Sequence, residues 1–385
     1  MRISMISAAL VAALVGYGST IAIVLAAAAA VSASPAQTAS WVLAICLTKA
    51  IGSAGLSTWL RVPMVLAWST PGAALIAASS GVSMAEAVGA FVLAGLLIAA
   101  SGLIRPLGRL IGLIPDGIAS GMLAGVLLPF CLKGVAAIPT LPGLILPMVA
   151  VFVLARLYNP SLAVLAALSV GIASAFVAQV VPLPAFRLPM PHLTVIAPQF
   201  RVSVLLGLGV PLYLVTMASQ NLPGFATLRA AGYAAPVRPA LMVTGVLSAL
   251  SGLFGAHTVS MAAITAALCL GDDVHPDRNQ RWKVGLAYGA IWVCLGVLGP
   301  VLLAVLAVLP APLIAALVGL ALLGPLTGAM TGAFTPVATR FAAVITLVVT
   351  ASGLTVFGIG AAFYGLLAGL AVHALHHLAL TLTKR

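Results

Sequence analysis

Acidic residues are almost missing from this chain: 385 residues include five Asp or Glu against 17 Lys or Arg, and charged residues of both signs make up 6%. An ordinary soluble domain is about 25% charged. With 63% hydrophobic residues, that scarcity excludes a water-soluble globule and a disordered chain. Cysteine is sparse as well. Cys46, Cys131, Cys269 and Cys294 each sit inside an apolar run, with no CxxC pair and no metal-ligand spacing. They read as small buried hydrophobes, and neither a metal nor a cofactor is expected. The net charge of +12 forms no stripe, which excludes a nucleic-acid surface; single basic residues punctuate apolar runs instead. No Ser-His-Asp set, HExxH, Walker A or GxGxxG context appears, so a membrane-embedded enzyme is a weak reading. Rings of intramembrane charge are missing too, which argues against a channel selective through its side chains.

What is present is apolar chain in lengths that suit a bilayer, at about 20 residues per span. Cut at charges and Gly/Pro clusters, it gives segments at 5–31, 37–59, 62–80, 83–103, 115–133, 141–156 and 160–181. A second set lies at 201–222, 238–255, 257–270, 281–308, 310–332, 340–356 and 358–380. The first segment ends in Val31-Ser32-Ala33, like a secretory signal. Its apolar run of 29 residues far exceeds the roughly 7–15 of a signal core, so it reads as a span. The chain is therefore expected to be an all-α integral membrane protein with 14 transmembrane segments. Both termini then share one side. With that side cytoplasmic, 13 basic residues lie inside (Arg2, Arg61, Arg105, Arg109, Arg156, Arg229, Arg238, Arg278, Arg281, Lys283, Arg340, Lys384 and Arg385). Lys133, Arg187 and Arg201 lie outside, and Lys49 falls within a span. This is a positive-inside bias.

Two seven-span units must insert with opposite orientation, giving a 7+7 inverted repeat. The first repeat covers 1–181 and the second 201–385, joined by Pro182–Gln199 with its five prolines. Ala119–Pro129 resembles Ala315–Pro325 at an offset of 196. The third span places Ser69-Thr70-Pro71-Gly72 in mid-membrane, with Thr70 suited to an N-cap and Pro71 to a first helical position. A half-helix starting at the bilayer centre, fed by an extended segment, would point its positive end at an anion; the alternative is a continuous helix kinked at Pro71. Span ten is the counterpart: Ala256-His257-Thr258-Val259-Ser260-Met261 is polar and β-branched, and Ala262–Leu268 is helix-forming. A third polar cluster, Ser219-Gln220-Asn221 before Pro223-Gly224, faces the protein interior because lipid penalises it. Tyr17 and Ser19 hold the similar position in the first repeat.

All five acids have structural explanations. Glu86 completes a capping box with Ser83, Asp116 opens a helix, and Asp272, Asp273 and Asp277 share a loop with Arg278, Arg281 and Lys283. His257 is the histidine placed beside the expected site, which makes it the proton-coupling candidate, with a simple hydrogen-bonding role as the alternative. His373, His376 and His377 read as interfacial.

Several stretches carry a family resemblance. Ala67–Ala74 (AWSTPGAA), Thr216–Gly224 (TMASQNLPG), Leu228–Tyr233 (LRAAGY), Ala262–Ala267 (AAITAA), Thr350–Leu354 (TASGL) and Gly358–Leu366 (GIGAAFYGL) resemble the BenE-type benzoate–proton symporters. The likeness runs from Gly16 to the C-terminus. It is similar, more distantly, to the uracil-permease and sulfate-permease carriers. The resemblance implies import of benzoate, or a related small aromatic carboxylate, with protons across the bacterial inner membrane. The alternatives are a carrier of the same fold for another small organic anion, or an anion channel. It further implies a core domain from spans one to four and eight to eleven (about 5–103 and 201–308) and a gate domain from the rest (about 115–181 and 310–380). Spans three and ten would each be a short strand plus a half-helix. Carried over, Ser69, Thr70 and Gly72 match the first half-helix start, and Met261, Ala262, Ala263 and Ile264 the second. Ser219 falls where the uracil carriers have a proton-linked glutamate, a departure that suits a carboxylate substrate. A homodimer is compatible with this reading.

Overall fold

The computed structural model describes residues 2–104, 114–158, 162–178, 191–357 and 359–382. The side chain of Ser19 lies outside that description, as do Arg105, Arg109, Arg187, Lys384, Arg385 and the first half of the proline-rich connector. Each of the 14 apolar segments contains a helix among the described residues. Before the connector come α1 (Ile3–Ala30), α2 (Pro35–Leu60), α3 (Thr70–Ala77), α4 (Met84–Leu103), α5 (Asp116–Ala136), α6 (Pro142–Tyr158) and α7 (Ala163–Val177). After it come α8 (Val202–Ala230), α9 (Val237–Gly252), α10 (Ile264–Ala267), α11 (Val284–Ala307), α12 (Ala311–Phe334), α13 (Arg340–Ala351) and α14 (Ala361–Leu382). Among the described residues eight helices are long and apolar enough to cross a membrane: α1, α2, α4, α5, α8, α11, α12 and α14. Helices α6, α7, α9 and α13 are apolar but shorter. This is a multi-pass helical membrane protein.

Local chemistry sets the helix starts. Ser34 and Gln37 form a capping box at α2, and Ser83 and Glu86 form another at α4, each satisfying orphan N–H groups reciprocally. Which way a helix faces follows the solvent. On α2, Ile51 is 61% exposed while Lys49 is 1% exposed, so apolar surface is turned outward and polar side chains inward. Cys46, Cys131 and Cys269 are buried as expected, but Cys294 is exposed on α11; a small thiol pays no penalty on a surface that meets lipid.

Between α2 and α3 runs β1 (Leu66–Trp68), and between α9 and α10 runs β2 (Val259–Met261). They pair antiparallel with Ala67 opposite Ser260. The ladder extends through Ser69 N–H to the Thr258 carbonyl and Ala262 N–H to the Val65 carbonyl, both 2.9 Å. Strand backbone inside a membrane protein must find all its partners within the protein. Side chains supply them: Ser53 accepts the Leu66 N–H (3.1 Å), Ser248 the Val259 N–H (3.0 Å), and Tyr288 donates to the Leu66 carbonyl (3.0 Å).

Around this ribbon α2 packs along α11, α4 along α9, α1 against α3 and α11, and α8 against α4. In a second set α5 packs against α12, α13 and α14, α6 against α7, and α13 against α14. Small residues let these helices approach closely, the usual basis of association in lipid. A Cβ on Gly95 would strike the backbone of α9, one on Gly245 that of α4, and one on Gly134 would stand 3.0 Å from Gly319 Cα. Helix α8 runs past the expected end at 222. It widens into a π turn at Met217–Asn221, which absorbs Pro223, a residue with no N–H for the carbonyl four positions earlier.

Candidate functional site

Beyond Trp68 the chain turns from strand to helix, and the cap is Ser69 rather than Thr70. The Ser69 carbonyl accepts the Ala73 N–H (2.8 Å), the first bond of α3, and its Oγ accepts the Gly72 N–H (3.1 Å). The residue whose carbonyl takes the first helical bond is the N-cap by definition. Thr70 is thereby released toward open space. Ser69 Oγ also accepts the Thr216 hydroxyl (3.0 Å), which lies 2.8 Å from Thr258 Oγ1. Gly72 is required by this crowding: a Cβ there would stand 2.5 Å from Leu212 Cδ1 and 2.8 Å from Ser69 Oγ. With Pro71 lacking an N–H and those of Gly72 and Ala73 occupied, α3 presents its dipole and Thr70 instead of a row of free amides.

A cavity of about 910 Å³ opens at this point, within the range of about 300–1,000 Å³ of small-molecule sites. Of the residues expected from sequence, Thr70, Ser219, Gln220, Ala262, Ala263 and Ile264 line it. Within the π turn of α8, Ser219 and Gln220 are half-buried and turned to the cavity, with no side-chain hydrogen bond among the described residues. Neighbouring Asn221 faces the other way, its Oδ1 accepting the Met261 N–H (2.9 Å) and its amide reaching Met217 Sδ (3.3 Å). Met261 is the last residue of β2, fully buried, so the second half-helix begins only at Ile264. Ser69, Gly72, Asn221 and Met261 support the site from behind its wall. His257 is likewise outside the lining: it accepts the Trp41 indole N–H at Nδ1 (3.0 Å), and Nε2 lies 3.2 Å from the Ser69 carbonyl. Tyr17 is buried beside the cavity, its hydroxyl without a hydrogen-bond partner among the described residues and its ring 5.8 Å from those of Trp68 and Trp292.

The cavity also holds a group that sequence reasoning passed over. Lys49 lines it from the middle of α2. Its Nζ stands 3.0 Å from the ring centroid of Trp292 and 4.2 Å from that of Trp68. Both distances place the nitrogen over the ring faces, whose quadrupoles attract it whenever it is charged. Trp68 is fixed by an indole hydrogen bond to Thr20 Oγ1 (2.8 Å), and Trp292 by edge contact with Trp68 and Tyr288. The signal was available: an ionisable residue amid Ile45-Cys46-Leu47-Thr48 and Ala50-Ile51 marks function in a span by default.

The opposite wall comes from α5, α6 and α12, with Asp116, Ser120, Phe152, Arg156 and Pro325. A second cavity of about 380 Å³ lies at the far end of α3, bounded by Leu75, Ser80, Lys133 and Thr350. Helix α5 lines both, through Asp116–Leu123 on one side and Gly125–Lys133 on the other. Together these stretches cover about 26 Å of helix, close to the roughly 30 Å of a bilayer core.

Interrupted helices that meet at a cavity within a membrane-spanning bundle define a transporter. Residues 1–375 match the family described as BenE, benzoate membrane transport protein, and the chain belongs to that family, whose members transport rather than catalyse. It is 40% identical over 366 residues to the inner membrane protein YdcO of Escherichia coli (strain K12), covering 94% of this chain and 93% of that one. It is 34% identical over 366 residues to the benzoate membrane transport protein of Acinetobacter baylyi (strain ATCC 33305 / BD413 / ADP1), covering 94% and 92%. Among solved structures, the transmembrane domain of a cyanobacterial bicarbonate transporter, BicA, superposes with a TM-score of 0.61 at 14% identity, covering 96% of this chain and 98% of that one. SLC26A9 gives 0.66 at 13% identity over 98% of this chain and 66% of that one. At such identities the likeness is one of fold.

Proposed function

We propose that this protein imports benzoate, or a closely related small aromatic carboxylate, together with protons across the bacterial inner membrane, with both termini cytoplasmic. The observation that carries the reading is the composition of the larger cavity. Apolar walls with the Trp68 indole and the Tyr288 phenol suit an aromatic ring, while Lys49, Thr70, Ser219 and Gln220 suit a carboxylate. The name of the Acinetobacter relative points to the same substrate.

The transport cycle we propose is alternating access in a 14-span, 7+7 inverted repeat, with α1–α4 and α8–α11 as core and α5–α7 and α12–α14 as gate. Exchange of packing partners supports it. Adding seven to each helix number turns the α4–α9 pair into α11–α2, maps α5–α12 onto itself and turns α6–α7 into α13–α14, all of which occur. The cavities exchange likewise: Gly125, Pro129 and Lys133 line the smaller one, and Ala321, Pro325 and Ala329, each 196 positions on, line the larger. The positive-inside pattern puts Arg156 on the cytoplasmic side, so the larger cavity is the inward vestibule of this state.

The test is the initial rate of labelled benzoate entry into proteoliposomes with an acidic exterior. Protein-free vesicles subtract benzoic acid that crosses lipid unaided. Protein-dependent uptake accelerated by the gradient and abolished by a protonophore is expected. Benzamide should compete poorly and ring-substituted benzoates well; competition by aliphatic carboxylates alone would favour a carrier of another organic anion, and absence of uphill movement would favour a channel.

A further inference from the structure

Lys49 is 1% exposed in the middle of a span, and no carboxylate forms an ion pair with it among the described residues; the ion pairs present there are Arg201–Glu86 and Arg281–Asp272. Among the described residues no hydrogen-bond acceptor reaches its Nζ either. What surrounds the amine is aromatic: the faces of Trp68 and Trp292, with Tyr17 and Tyr288 packed against those rings. The amine nevertheless borders the cavity, so water or a ligand there reaches it.

We propose that Lys49 pairs as an ammonium with the substrate carboxylate, and that the proton on its Nζ is the one carried with the substrate. This rests on reading the cavity as a site for a carboxylate transported with protons. A single charge in such an enclosure is costly, and an ion pair with good contacts is far less so. The empty site therefore favours the neutral amine, and arrival of the anion brings a proton from cavity water onto Nζ. Anion and proton enter together, the loaded site carries no net added charge, and both leave when the gate opens to the other side. No acid is needed at Ser219.

The neighbouring groups do not supply this role. Tyr17 on α1, Cys46 on α2 and Tyr288 on α11 are phenols and a thiol, neutral at ordinary pH. His257, before β2, has both ring nitrogens engaged. Across the cavity, Asp116 on α5 and Arg156 on α6 carry opposite signs. Arg156 is exposed, and a guanidinium does not release its proton in proteins.

The experiment is calorimetric titration of the full-length protein in detergent with benzoate, near neutral pH, in two buffers of different ionisation heat. The difference gives protons taken up per benzoate bound. The wild type should take up about one proton per benzoate. Lys49→Arg keeps a planar cation that stacks on indole rings, so it should bind benzoate with no proton uptake, and its proteoliposomes should exchange benzoate without pH-driven accumulation. Lys49→Met should weaken binding at least about thirtyfold. Uptake of a proton by Lys49→Arg equal to that of the wild type overturns the proposal, as does unchanged affinity in Lys49→Met. Should Lys49→Met fail to fold, the arginine variant decides alone. Wild-type protein that does not bind benzoate overturns the substrate reading, and this inference with it.

Discussion

Trp41 donates its indole N–H to Nδ1 of His257 at 3.0 Å. An indole nitrogen only donates, so Nδ1 accepts and Nε2 carries the hydrogen that meets the Ser69 carbonyl at 3.2 Å. A second proton on His257 would set two donors against each other. The ring thus clips α2 to the N-cap of α3 in one neutral tautomer. His257→Gln, which retains part of this bonding, should still show pH-driven benzoate accumulation with a lower melting temperature. His257→Leu strands two buried partners and should lose about 1–3 kcal/mol for each. Accumulation in His257→Gln that ignores the pH gradient would return the proton to this histidine.

Asn221 holds β2 to α8 through the Met261 N–H. Asn221→Ala leaves that buried amide unpaired, at a cost of about 1–3 kcal/mol. Thermal unfolding in detergent should show the loss, and benzoate should restore less stability than it does in the wild type because β2 precedes the cavity wall at Ala262.

Ser219 faces the cavity with no side-chain hydrogen bond among the described residues. Ser219→Glu sets a second carboxylate beside the substrate's, and like charges at such range cost several kcal/mol. Benzoate binding near neutral pH should weaken at least about a hundredfold and recover as the medium is acidified. Equal affinity across that range, measured by calorimetry, would place the substrate elsewhere.

Glu86 accepts the Ser83 N–H (2.8 Å) and pairs with Arg201 (3.0 Å) at the start of α4, where Arg201 is half exposed. A pair of this kind is worth about 0–1 kcal/mol. Glu86→Gln should therefore cost little stability and leave the pH dependence of transport as it is in the wild type, measured as uptake rate against external pH.

Much of this architecture was legible because a bilayer imposes length on apolar chain. Every segment cut from the sequence contains a helix, and the extended stretch ahead of α3 and the polar one ahead of α10 became β1 and β2, since backbone inside a membrane protein must pair. The choice between Ser69 and Thr70 as cap was not legible; both are hydroxyl residues, and only backbone geometry separates them. Lys49 was set apart from the inside–outside count as lying within a span, because the positive-inside rule treats span ends and is silent about span centres. Its partners Trp68 and Trp292 stand on β1 and α11 and converge on it only when α2, β1 and α11 pack together.

The most direct test of proton-coupled carboxylate transport is the protein-dependent initial rate of labelled benzoate entry with the membrane potential clamped at zero, comparing an exterior one pH unit more acidic with equal pH on both sides. One pH unit stores about 1.4 kcal/mol per proton, a driving ratio of about tenfold for one-to-one coupling. The account predicts a clear acceleration by the gradient in the wild type and none in Lys49→Arg. Equal wild-type rates with and without the gradient, after subtraction of protein-free vesicles, would contradict it.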